Sequence, residues 1–290
     1  MAKDNYTKDW IIANAIDVCS RYRKGILTLR SLHYQLVSIG MTNDLNHYKR
    51  VVSAMIDARW AGIISFDTFS DLDRGLAMET DAKVTVYEES VSGAKDSIKA
   101  WMEVYYLNRW ENQPVYPEVW IEKKALQGVF GDPCRRARVA LGACKGYPSL
   151  TFLHEAKERF MPYIDAGKNI IIVYFGDYDP SGEDIPRSVG ENLERMGVEV
   201  EVKRIALMEK QVVEWGLPPA PAKVTDTRSA KWEGLGQVEL DAVKPEVLQS
   251  LVRDSLREIF DEDLYEELKE RETEERGRYV IELKEYVKTL

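Results

Sequence analysis

The segment Asn169-Ile-Ile-Ile-Val-Tyr-Phe-Gly-Asp-Tyr-Asp-Pro-Ser-Gly182 is an apolar run of strand formers that ends at two acids, a proline and a glycine. Ile170 to Phe175 shows no alternation, which predicts a strand buried on both faces. Asp177 and Asp179 are two residues apart and project the same way from an extended backbone. Pro180 and Gly182 impose a turn, and Glu183 with Asp184 suits the first turn of a following helix, where negative charge meets the helix dipole. Open α/β sheets bind their ligands beyond the carboxyl ends of such strands. Taken alone, the same D-x-D equally describes a solvated strand-to-helix turn.

Outward from this segment, strands and helices alternate. Tyr116-Pro-Glu-Val-Trp-Ile-Glu122 is a second strand running into charge, with Glu122 at its end. A helix begins over Ala125 to Phe130, Gly142 to Gly146 reads as a loop leading to Leu150-Thr-Phe152, and His154 to Ile164 is the next helix. Beyond the D-x-D, helix continues over Glu191 to Met196, strand over Val198 to Ile205 and helix over Met208 to Trp215. This order implies βαβ units and a mainly parallel sheet. Glu122, Asp177 and Asp179 would then converge at one sheet edge as an all-oxygen site for a hard cation, Mg²⁺ or Mn²⁺ in its place. Such a site serves phosphoryl transfer.

The N-terminal part reads differently. Lys8 to Tyr22 carries Ile11, Ile12, Ala15, Ile16 and Cys19 at helical spacing. Thr28 can cap a second helix through Leu29, Leu32, Leu36 and Val37, which Gly40 ends. His47 to Ala61 forms a third, with Val51, Val52, Met55 and Ile56 inward, and a β-like run Ile63-Ile64-Ser65-Phe66 follows. Three helices, a strand and a polar loop follow the order of a winged helix, whose third helix would offer Tyr48, Lys49, Arg50 and Arg59 to DNA. A small helical domain with merely solvated bases fits the same order.

Composition sets bounds. The 290 residues suffice for two domains, and the apolar fraction of 44% is ordinary for a globular chain. No apolar run approaches a membrane span, and Met-Ala-Lys-Asp-Asn-Tyr lacks a signal-peptide core, so a cytoplasmic, nucleoid-associated protein is expected. Cys19, Cys134 and Cys144 are widely spaced, which indicates neither a disulfide framework nor a zinc site. The net charge of −9 is unevenly spread. Residues 254–290 hold 13 acids against 7 bases, whereas residues 21–60 hold 7 bases against 2 acids and can face a phosphate backbone. Four segments are expected: 1–75, a winged helix; 76–114, a connection and an aromatic helix over Ala94 to Trp110; 115–253, the metal-binding domain with the Pro-rich tract Leu217 to Lys223; and 254–290, a charged tail of two helices broken near Gly277.

Glu122 in Trp-Ile-Glu-Lys and Asp177-Tyr-Asp-Pro-Ser-Gly182 after a hydrophobic strand resemble the Toprim domain. The D-x-D-P-x-G form resembles the A subunit of topoisomerase VI and its relative, the meiotic double-strand-break transesterase. Leu217 to Lys223, Asp226, Arg228 and Val238-Glu-Leu-Asp-Ala242 are similar to the tract after the Toprim core in those proteins. Leu29-Arg-Ser-Leu-His-Tyr34 occupies the place of the family's R-D-x-Y-Y motif. The resemblance covers about residues 8–75 and 115–255, and the compact standalone mini-A group of mobile elements is the nearest form. It implies a winged-helix plus Toprim α/β fold, Tyr34 as nucleophile, Arg30 as the motif arginine, Glu122 as metal ligand or acid/base group, and Asp177 and Asp179 as metal ligands. It also implies double-stranded DNA as substrate, a 5′-phosphotyrosyl intermediate and a homodimer in which each tyrosine faces the partner's metal site. Ser31 and His33 depart from the motif. The short stretch before the first helix suggests that the region engaging an ATPase subunit is reduced, which leaves such a partner undecided. Two other readings stand beside this topoisomerase-like enzyme: a Toprim endonuclease that uses water, and a non-catalytic DNA-binding protein.

Overall fold

β-branched and aromatic residues dominate two stretches, and both form strands in the computed structural model, which describes residues 6–70, 87–219 and 236–289. β1 (Val115–Ile121) and β3 (Asn169–Phe175) pair in parallel, with Ile121 opposite Phe175, so their carboxyl ends lie level. The Glu122 N–H donates to the Phe175 carbonyl at 2.9 Å and carries the ladder one step further. β2 (Ala140–Ala143) flanks β1 and β4 (Glu201–Ala206) flanks β3. The sheet is wholly parallel, in the order β2-β1-β3-β4.

The chain steps from β1 out to β2, then crosses back to place β3 on the far side of β1. The strand order therefore reverses between β1 and β3. α5 (Gln127–Ala137), α6 (Leu150–Asp165) and α7 (Pro180–Arg195) make the three crossovers. Trp120, Ile170, Ile172 and Tyr174 pack with Leu153 and Phe160 of α6 and with Ile185, Val189 and Leu193 of α7. α8 (Glu209–Glu214) follows β4, and α9 (Pro245–Glu258) packs on α5, where Gln249 donates to the Val129 carbonyl.

α1 (Lys8–Ser20), α2 (Leu29–Ser38) and α3 (Leu45–Trp60) form the N-terminal three-helix module. Thr28 caps α2 as expected, accepting from the Ser31 N–H at 2.9 Å. The core holds Ile11, Ala15, Leu32, Leu36, Val51 and Met55. Ile16 and Ile56, expected inside, are exposed, and Ala54 and Ala58 take the inner face of α3 instead. The strand expected over Ile63–Phe66 does not form. Only Ile64 is buried there, while Ile63 and Phe66 face solvent, and a 3₁₀ turn over Phe66–Thr68 follows.

The molecule divides into two compact units, residues 1–74 with 115–258 and residues 75–114 with 259–290. The expected boundary after residue 253 thus moves to 258, because α9 runs on to Glu258. In the second unit, α4 (Tyr87–Glu103) starts before and stops before the expected Ala94–Trp110 helix. α10 (Glu262–Thr289) is one helix through Gly277, where a break was expected. Trp110 packs edge-on to Phe260, and Gln113 exchanges two hydrogen bonds with the backbone of Asp261 at 2.9 and 2.8 Å. Two further expectations shift: the Gly142–Gly146 loop begins as β2, and Leu150–Phe152 opens α6. Lys223, Asp226 and Arg228 lie outside the described residues. Among the described residues, no helix is long and apolar enough to cross a membrane.

Candidate active site at the carboxyl ends of β1 and β3

Gly176 follows β3, and its N–H donates to the Ala206 carbonyl while its own carbonyl accepts from Leu207, both at 2.7 Å. This fixes Asp177 directly beyond the strand. The Asp177 N–H donates to Glu122 Oε2 at 2.9 Å, so the two predicted strand-end acids touch across the switch between β1 and β3. Asp179 Oδ1 accepts from the Gly182 N–H at 2.7 Å and caps α7, with Pro180 at its first position. Gly182 is required here: a Cβ would fall 2.1 Å from the Asp177 carbonyl oxygen.

The sequence left Lys123, Glu239 and Asp241 without a role of their own. Tyr178 and Val238 exchange backbone hydrogen bonds at 2.8 and 2.9 Å, drawing residues 238–242 alongside the D-x-D. Asp177 Oδ1 then accepts from the Leu240 N–H at 2.8 Å, and Glu239 and Asp241 lie on either side. Lys123 Nζ sits 2.9 Å from Asp177 Oδ2, 3.2 Å from Asp241 Oδ2 and 3.8 Å from Glu239 Oε2. Asp241 Oδ1 also accepts from the Thr28 hydroxyl at 3.0 Å. Glu239 and Asp241 repeat the i, i+2 spacing of Asp177 and Asp179, the one signal in the sequence that could have marked them.

Tyr34 closes the network. Its hydroxyl donates to Glu239 Oε2 at 3.1 Å, and Arg30 Nε lies 3.1 Å from the same oxygen. A single chain therefore runs Tyr34–Glu239–Lys123–Asp177 by direct contacts, where the resemblance implied that the tyrosine and the metal site come together across two protomers. Tyr34 is 2% exposed. Burial, reinforced by the Glu239 charge, holds its phenol well above the ordinary tyrosine range. Ser31 is buried with its hydroxyl 3.1 Å from Thr28 Oγ1. His33 points to Asn43 Oδ1 at 3.3 Å, and burial lowers its pKa. It serves the packing around Tyr48 rather than the Tyr34 hydroxyl.

Electrostatics mark the acidic edge. Burial raises Asp177 to about 7, with Lys123 opposing and Glu122 adding to the shift. Burial likewise raises Glu122, and the Asp179 charge adds to this. Burial works against charge on Lys123, but Asp177, Asp241 and Glu239 outweigh it and hold the ammonium above its usual range. Tyr174 Oη and Arg204 Nε are buried without a hydrogen-bond partner, and a Cβ on Gly176 would lie 2.6 Å from Tyr174 Oη and 2.9 Å from Glu122 Oε2. Among the described residues, no three acidic, histidine or cysteine side chains close around a metal position. The donor set nevertheless fits a hard cation. It is all oxygen, its members repel one another, and a divalent ion would relieve the burial that pushes Asp177 and Glu122 up. Both Asp177 oxygens are engaged, Oδ1 by the Leu240 N–H and Oδ2 by Lys123.

Of the four residues expected on DNA, Lys49 is exposed. Tyr48 lies 4.9 Å beneath the Arg30 guanidinium, Arg50 bonds the Tyr6 carbonyl, and Arg59 donates to Met55 O and covers Phe69. No protein-family model, no curated protein and no solved structure matches this chain.

Proposed function

We propose that the protein is a divalent-metal-dependent enzyme that cleaves double-stranded DNA by tyrosine transesterification, in the manner of a topoisomerase VI A subunit. The observation that carries this reading is the position of Glu122 and Asp177 at the reversal of strand order, in contact with each other and linked through Lys123 and Glu239 to Tyr34. Ligands of open parallel sheets bind at such a crevice. On this reading the sheet is a Toprim domain and the three-helix module a winged helix, with Lys49 as its most accessible phosphate contact. Glu122, Asp177 and Asp179 would hold Mg²⁺ or Mn²⁺, which supplies charge neutralisation at the phosphate and the leaving oxygen. Tyr34 attacks phosphorus, and the 5′ end is retained as a phosphotyrosyl ester. A homodimer would present two such tyrosines to the two strands of a duplex.

Hydrolysis by water at the same acids is a second reading, favoured by the near-complete burial of Tyr34. Incubation with supercoiled plasmid and Mg²⁺ or Mn²⁺, denaturant quench and peptide mapping separate the two. Transesterification gives an adduct on Tyr34 that Tyr34→Phe abolishes. Hydrolysis gives nicks that persist in Tyr34→Phe, and Asp177→Ala ends cleavage under both.

A further inference from the structure

The contact between Tyr34 and Glu239 has the form of a nucleophile held by its base, with the base oriented by a third group. Tyr34 Oη donates to Glu239 Oε2 at 3.1 Å, and Arg30 Nε reaches that same oxygen at 3.1 Å. Among the described residues, the charged and titratable groups in contact with Glu239 are Tyr34 and Arg30 from α2 and Lys123 from the end of β1. Glu239 is 7% exposed, and the antiparallel bridge between Tyr178 and Val238 anchors its backbone. A phenol has a pKa of about 10 in water and is a poor nucleophile at neutral pH until a base takes its proton.

We propose that Glu239 is the catalytic base of this site, accepting the Tyr34 proton as the phenol attacks DNA, and that Arg30 positions Glu239 for the transfer. The inference rests on the reading of Tyr34 as nucleophile. In the step, the bond from Tyr34 Oη to phosphorus forms and the bond from phosphorus to O3′ breaks. The phenolic proton goes to Glu239 Oε2, and the departing O3′ takes a proton from water. One phosphodiester replaces another, so no oxidant, reductant or high-energy co-reactant is consumed. Tyr34 and Glu239 are both shielded from solvent, so DNA must part α2 from residues 238–242 to reach them. Arg30, with a third of its side chain exposed, is the member of the cluster that incoming phosphate meets first.

The test measures the rate of Tyr34 adduct formation on plasmid DNA with Mg²⁺ for the full-length chain and for Glu239→Gln. Glutamine keeps the shape and can still accept the hydrogen bond, but it cannot take up a proton. The expected result is at least a 100-fold slower adduct, with DNA affinity within twofold and an unchanged unfolding midpoint, in line with the contribution of a positioned base. Site-specific fluorotyrosine at position 34, whose phenol ionises more readily, should then recover at least tenfold of the loss in Glu239→Gln. If glutamine does not fold, Glu239→Asp draws the carboxylate back by one methylene: a slower adduct that fluorotyrosine at position 34 speeds up supports the role, and a rate equal to that of the unmodified chain overturns it. An unchanged rate in the variant, or a slow variant that fluorotyrosine does not rescue, overturns the role of Glu239 while leaving Tyr34 as nucleophile. No Tyr34 adduct in the unmodified chain overturns the nucleophile and its base together.

Discussion

Asp177 is buried between a lysine and a glutamate, and its pKa is raised by burial from 3.8 to about 7. A carboxyl that binds its proton more tightly when folded favours the fold at low pH. The stabilisation is fully present below pH 3.8 and is lost as pH rises through about 7. At 1.36 kcal/mol per pKa unit the span is worth roughly 4 kcal/mol. In the metal-free protein, Asp177→Asn should flatten this part of the pH dependence, so that its stability relative to the parent chain is higher at pH 8 than at pH 5. Urea unfolding at both values measures it, and parallel curves would place the proton elsewhere. A second residue-scale expectation concerns Glu118, whose side chain is 1% exposed and receives both Arg159 Nε and an Arg159 terminal nitrogen at 3.1 Å. Arg159→Met leaves that carboxylate with only Trp120 Nε1 and Tyr116 Oη as donors. The Arg159 side chain is 41% exposed, so solvent screens the pair and the loss should lie near the low end for a broken buried pair, about 3 kcal/mol. The double variant with Glu118→Leu should recover most of it, and a single-variant loss under about 1 kcal/mol would show that the charge is not held there.

The turn between β3 and α7 is the element on which the acidic edge depends, and its two glycines make a paired test. A Cβ on Gly182 would overlap the Asp177 carbonyl at 2.1 Å, whereas one on Gly190 in the same helix meets nothing within 4 Å. Gly182→Ala should cost about 2 kcal/mol or more and abolish any stabilisation of the chain by Mg²⁺, since it pushes α7 off the backbone of Asp177. Gly190→Ala should gain up to about 1 kcal/mol from helix propensity. Melting curves with and without Mg²⁺ decide; equal effects would mean that the turn is not tight. The contrast also explains what could be read in advance. β1, β3 and the acids that end them were legible because burial on both faces writes a continuous apolar run. β2 was not, being four residues, three of them Ala or Gly, at the sheet edge. Ile63–Phe66 has strand composition, but Ile64 alone turns inward. Glu239 and Asp241 carried no local signal of function beyond their i, i+2 spacing. They reach the site through a tertiary bridge to a residue 60 positions earlier, which no periodicity encodes.

At the scale of the whole molecule, burial is distributed very unequally. β3 lies inside the sheet with Ile170 to Phe175 all buried and with hydrogen-bonded neighbours on both sides. α4 belongs to the unit formed by residues 75–114 and 259–290, and its side chains from Val91 to Trp101 are all exposed. In α10, Leu268 is the one buried residue among 28. Most helical stability in proteins comes from a packed face, which α4 lacks from Val91 to Trp101, so α4 should open locally at little cost, while β3 opens only with the whole unit. Native-state hydrogen exchange should therefore show amides of residues 91–101 exchanging at least 1,000-fold faster, relative to their intrinsic rates, than those of residues 170–175. The gap should be the same at low and high protein concentration if the unit stands alone. Protection of α4 that grows with concentration would instead mean that Ile98 and Trp101, 42% and 67% exposed in the single chain, are covered by a second copy. Comparable protection of α4 and β3 at every concentration would overturn the assignment of α4 to a weakly packed unit.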